Sequence, residues 1–164
     1  MAKDISEGMT LYTWDVFKIL LDYEVNRSRR YPSPLSLIDI SLESNPISPE
    51  AIEAAETKIA SLLNSHLRSA DIPAHFNHDY FVLLPTTNES GGRAVCERLL
   101  SVFKTDLLTE QEGAFPSLSA YMGLATNLGG PDLSAEILIQ QAGSALKHAL
   151  AESSKNYVSY SELK

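Results

Sequence analysis

The chain has 164 residues, enough for one domain with a real core, and its 44% apolar content is ordinary for a globular protein. Twenty-one acidic residues against thirteen basic ones leave a net charge of -8, which argues against non-specific nucleic-acid binding. Cys96 stands alone, so disulfides and cysteine metal clusters are excluded, and no apolar run reaches the roughly 20 residues of a membrane span.

Trp14, Phe17, Leu21 and Val25 recur at helical spacing and predict an amphipathic helix over Tyr12 to Arg29. Tyr31-Pro32-Ser33-Pro34 stops it, because proline cannot continue a helix and biases its predecessor to extended geometry. Leu35 to Leu42 is a short apolar run, read as a strand buried on both faces. Ser48-Pro49-Glu50 has the form of a helix start, with a capping serine, proline at the first helical position and an acid in the first turn. Ile52, Ala55, Ile59, Leu62, Leu63 and His66 carry that second helix.

Ile72 to Phe76 and Phe81 to Leu84 bracket Asn77-His78-Asp79-Tyr80 and predict a hairpin. Arg93 to Phe103 reads as a third helix, and Thr105 to Pro116 as a polar connection. Leu118, Ala120, Met122 and Leu124 alternate as a strand. Gly129-Gly130-Pro131 breaks the chain, Ser134 to Ser153 forms a last helix, and Tyr157 to Ser161 a closing strand. The order α-β-α-β-β-α-β-α-β predicts an α/β (α+β) domain with a central mixed five-stranded sheet flanked by helices. Its expected division is an N-terminal extension over residues 1–11 and one domain over 12–164. The start of the chain lacks the apolar stretch of a signal peptide, so the expected location is cytoplasmic.

Several stretches, in order, resemble the diguanylate cyclase (GGDEF) family, which has a nucleotidyl-cyclase-like palm fold. Pro34-Leu35-Ser36-Leu37-Ile38-Asp39-Ile40 is similar to its first strand, which ends in a metal-binding Asp. Asn77-His78-Asp79-Tyr80-Phe81 resembles a degenerate copy of its Gly-Gly-Asp-Glu-Phe signature. Phe81-Val82-Leu83-Leu84-Pro85 resembles the following strand. Ala120 to Ala125 resembles its Ser-x-Gly-x-Ala strand, Ala142-Gly143-Ser144-Ala145-Leu146 its Ala-Asp-x-Ala-Leu helix, and Asn156-Tyr157-Val158 its closing Asn-x-Val. Arg68-Ser69-Ala70-Asp71, five residues ahead of the signature, has the spacing of the family's product-binding inhibitory Arg-x-x-Asp.

The resemblance implies damage to catalysis. Asp39 and Asp79 keep the two carboxylate positions, a vestigial foothold for weak Mg²⁺ binding with no cofactor otherwise required. The glycines that let backbone approach the nucleotide are Asn77 and His78, and the next acid is Tyr80. The lysine offered to the phosphates aligns with Leu150. Of the guanine-reading positions, Glu53 replaces an Asp, and Asn45 falls near an Asn in a shortened loop.

The inhibitory site is intact by contrast. An Arg fork meets the N7 and O6 acceptors of guanine, and a carboxylate suits its N–H donors. Arg98 aligns with the arginine that completes this site, usually from a neighbouring subunit. The implied function is a catalytically inactive receptor for cyclic di-GMP through Arg68, Asp71 and Arg98. Its partners are the dinucleotide, a second copy of the chain and an unnamed protein, with no nucleic acid and no membrane span. Three other readings stay open: a protein-interaction or dimerisation module without nucleotide binding, an enzyme with weak residual cyclase activity through Asp39 and Asp79, and a GTP-binding regulatory domain. Without the family resemblance, Arg68 and Asp71 read as a surface ion pair at a solvated helix end. His75 and His78, three apart, face opposite ways on a strand and make a poor metal pair.

Overall fold

A computed structural model describes residues 11–43, 49–107, 119–152 and 155–163. Four helices and five strands alternate as the sequence predicts: α1 (Trp14–Arg30), β1 (Leu35–Glu43), α2 (Pro49–His66), β2 (Ile72–Phe76), β3 (Asp79–Pro85), α3 (Glu89–Val102), β4 (Ser119–Asn127), α4 (Ala135–Ala151) and β5 (Tyr157–Ser159). They build one sheet in the order β2-β3-β1-β4-β5, with β4–β5 parallel and the other pairs antiparallel.

Helices cover both faces because β1 buries its side chains on both. Leu35 and Leu37, with Phe81, Leu83 and Ala125, pack against Phe17, Leu21 and Val25 of α1 and Leu138 and Ala142 of α4. Ile38 and Ile40, with Tyr80, Val82, Leu84 and Met122, pack against Ile59 and Leu63 of α2 and Val95, Cys96 and Leu99 of α3. Cys96 is fully buried, a small core residue. Gly123 sets the distance of closest approach to α4: a methyl group there would sit 2.2 Å from the carbonyl oxygen of Ala142 and 2.3 Å from the amide of Leu146.

Element boundaries depart from the pattern in four places. α3 begins at Glu89, four residues earlier than expected, because the Asn88 side chain caps it by accepting from the Gly91 amide. The glycines at 91 and 92 lie inside that helix, where Gly92 meets Leu124 of the sheet. Helical winding also continues past α3 as a π-helical turn over Phe103–Leu107, anchored by the fully buried Phe103, into the start of the expected polar connection. β3 begins at Asp79, because Asp79 and Tyr80 pair with Phe76 and His75 and leave only Asn77 and His78 in the turn. The closing strand is shorter than expected, since Tyr160–Leu163 turns into a 3₁₀ helix. Ser48, expected as the cap of α2, lies outside the described residues.

Candidate functional site

Asp39 does not stand at a strand end. β1 runs on to Glu43, held by pairing with β4 down to Glu43 opposite Ser119, so Asp39 sits mid-strand between Phe81 and Gly123. Asp79 pairs opposite Ser41, two residues along and on the same face, which brings the two carboxylates together. Burial pushes Asp39 up to about 8; repulsion from Asp79 and a hydrogen bond between the two carboxyls add to this. Its Oδ1 is buried without a hydrogen-bond partner. Two carboxylates with an unsatisfied oxygen fit a Mg²⁺ ion that takes its remaining ligands from water and phosphate. Among the described residues no group of three or more Asp, Glu, His or Cys side chains is placed to hold a metal.

The rest of the stretch that resembles the signature lies around the hairpin. Asn77 adopts φ 56°, a left-handed conformation that Asn tolerates and that glycine adopts without cost. His78 is exposed beside it. Tyr80 points to the opposite face from Asp79 and stacks on His75, ring centroids 4.5 Å apart. Phe81 packs under α1 with Trp14 and Phe17. On α4, Gly143 stands where the resembled helix has an acid, facing Asp39 across 3.9 Å from its would-be Cβ to Oδ2. Glu53 is exposed on α2 and Leu150 half-buried on α4. Asn45 lies outside the described residues.

A raised folded-state pKa has a thermodynamic consequence. Between about pH 4 and 8 the folded chain holds a proton on Asp39 that the unfolded chain releases, so stability falls as pH rises through that window. We expect the melting temperature, measured in chelator, to drop from pH 5 to pH 8.5, and Asp39→Asn to flatten the decline.

The Arg-x-x-Asp is a closed local structure. The chain turns after α2 with the Asp71 amide donating to the Arg68 carbonyl at 3.0 Å. The Asp71 carboxylate accepts from the Arg68 amide at 2.9 Å, from its Nη2 at 2.7 Å and from its Nε at 3.1 Å. Its side chain is 0% exposed, while that of Arg68 is 53% exposed. Nη2 also donates to the Pro85 carbonyl and the Thr87 hydroxyl, both at 3.0 Å. This grip holds the guanidinium in one orientation and raises its pKa further, chiefly through the Asp71 hydrogen bond. Nε and Nη2 carry these bonds, leaving the other terminal nitrogen for a ligand.

Arg68 lines a cavity of about 380 Å³ together with Pro34, Thr87, Asn88, Val95 and Arg98. Arg98, on the exposed side of α3, donates to the His66 carbonyl at the end of α2. Both arginines thus line one cavity within a single chain. Pinning of β3's exit fixes the floor: the Thr87 amide donates to Pro34, and its carbonyl accepts from the buried Ser36 hydroxyl at 2.8 Å. Thr86, on the rim, holds φ 53°, which is strained for a β-branched residue. Sequence reasoning passed over Thr87 and Asn88; the Asn-Glu pair that caps and opens α3 was the available signal.

No family model matches the chain, and no curated protein matches it in sequence; the likeness lies in structure. The GGDEF domain of FimX from Pseudomonas aeruginosa superposes with a TM-score of 0.74 at 18% identity, covering 97% of this chain and 98% of that one. The GGDEF domain of DgcB from Caulobacter crescentus, in complex with c-di-GMP, gives 0.75 at 12% identity over 98% and 99%. The diguanylate cyclase SiaD from Pseudomonas aeruginosa, in complex with its activator SiaC, gives 0.73 at 18% identity; the match covers 90% of this chain and 58% of SiaD. No described helix is long and apolar enough to cross a membrane. The five-stranded mixed sheet and its helices have the fold of GGDEF domains.

Proposed function

We propose that this domain binds cyclic di-GMP in the Arg68–Arg98 cavity and does not synthesise it. One observation carries the reading: two arginines from separate helices line a single cavity, one of them already locked in place by a buried carboxylate. An oriented guanidinium loses less freedom on binding and offers a planar fork to guanine or phosphate. Asp71, with both oxygens turned to Arg68, acts by positioning that fork rather than by reading the base. DgcB, a structural neighbour, is a c-di-GMP complex, which supports the choice of ligand.

The other site supports the reading that synthesis is lost. Asn77 and His78 carry side chains where the resembled signature has glycines, Tyr80 turns its ring to the far face, and burial beside Asp79 favours the protonated form of Asp39. GTP incubated with the protein and Mg²⁺ or Mn²⁺ is expected to yield no cyclic di-GMP; product that disappears in Asp79→Ala would restore the enzyme reading. Binding itself is tested by calorimetric titration with the dinucleotide, against Arg98→Ala, which is expected to weaken it about tenfold through loss of one charged contact.

A further inference from the structure

A second cavity, also about 380 Å³, opens between α2, the β2–β3 hairpin and the segment leading into α1. Two polar atoms of its lining residues are buried without a partner: the Tyr80 hydroxyl and His75 Nε2. Tyr80 is 2% exposed, and the two rings stack nearly parallel, 7° apart. Folded proteins seldom leave such atoms unsatisfied, and a pair of them behind one cavity wall points to a ligand that supplies the missing bonds.

The wall selects the ligand's charge. Tyr12 and Trp14 give aromatic surface, Thr57 a hydroxyl and Glu56 a carboxylate, and among the described residues no lysine or arginine lines the cavity. Glu56 lies close enough to the Tyr80 phenol to oppose its ionisation. Such a lining repels phosphate and attracts a cation, which gains from both the carboxylate and the aromatic faces. A phenol oxygen and an imidazole nitrogen, as the Nδ1–H tautomer, both accept hydrogen bonds, so the cation should carry N–H donors.

We propose that this cavity binds a small organic cation of the guanidinium type, its charge on Glu56 and its N–H groups on Tyr80 and His75. A planar guanidinium also stacks on aromatic rings, which a rounder ammonium does less well. The site lies apart from the Arg68–Arg98 cavity and stands or falls independently of the dinucleotide.

Agmatine is the probe, titrated into the full 164-residue chain by calorimetry. Saturable binding is expected, at least tenfold weaker in Glu56→Gln, weaker in Tyr80→Phe, and unchanged in Arg98→Ala. Tyr80→Phe keeps the ring and removes only the oxygen, and an unaltered near-UV spectrum shows that it is folded. The proposal is overturned by absence of saturable binding to the folded wild type, by equal affinity in Glu56→Gln, or by GMP binding at this cavity more tightly than agmatine.

Discussion

Arg68→Ala is expected to lower the affinity for cyclic di-GMP by about 100-fold, a loss of the size seen when a hydrogen-bonded charge is removed from a ligand interface. The reason is cumulative. Arg68 supplies the oriented fork, and the hydrogen bonds to Pro85 and Thr87 that shape the cavity end on its Nη2. Arg68→Lys is expected to fare nearly as badly, because a lysine presents a point charge where a planar fork is needed. The alanine variant also strips a fully buried carboxylate of its guanidinium, leaving Asp71 with the backbone amide of residue 68. An unpaired buried charge destabilises the fold, so the melting temperature should fall as well. The double variant Arg68→Ala/Asp71→Asn removes that charge. It should recover much of the stability and none of the binding, which separates the two effects. Asp71→Asn alone keeps the arginine and loosens its orientation, and its binding loss should be smaller than that of Arg68→Ala.

Gly123→Ala destabilises the domain by about 3 kcal/mol, at the upper end of what overpacking a core costs. A Cβ at this position meets backbone atoms of α4 on two sides, the Ala142 carbonyl and the Leu146 amide, and neither can swing away as a side chain would. Relief requires α4 to lift from β4 as a body, which opens the packing of Leu138 and Ala142 beneath it. For a domain of this size the shift corresponds to a drop of roughly 6–12 °C in melting temperature. Thermal unfolding followed by circular dichroism measures it; a change under 2 °C would mean that the helix sits farther from the sheet than described.

Much of this architecture was legible because each element buries a simple stripe. Phe17, Leu21 and Val25 announce α1 by spacing alone, and the apolar run from Leu35 announces a central strand. The start of α3 was hidden because Gly91 and Gly92 are poor helix formers, whereas Gly92 lets the helix lie close to Leu124. The resemblance alone put Asp39 at a strand end; Ser41 remains in the sheet because β4 continues to pair with it. The Arg68–Asp71 pair was visible by spacing, yet its division of labour was not. Which partner is buried depends on the turn that closes Asp71 onto the Arg68 backbone, a four-residue geometry that composition does not specify. That Arg98 faces Arg68 within one chain is a tertiary fact, set by α3 packing beside the end of α2.

Calorimetric titration of the wild-type chain with cyclic di-GMP tests the account at its centre. Saturable binding, micromolar or tighter and abolished in Arg68→Ala/Asp71→Asn, is the predicted result. Absence of binding heat and of any ligand-induced rise in melting temperature, in protein shown to be folded, would contradict it and leave the arginine cavity without its proposed ligand.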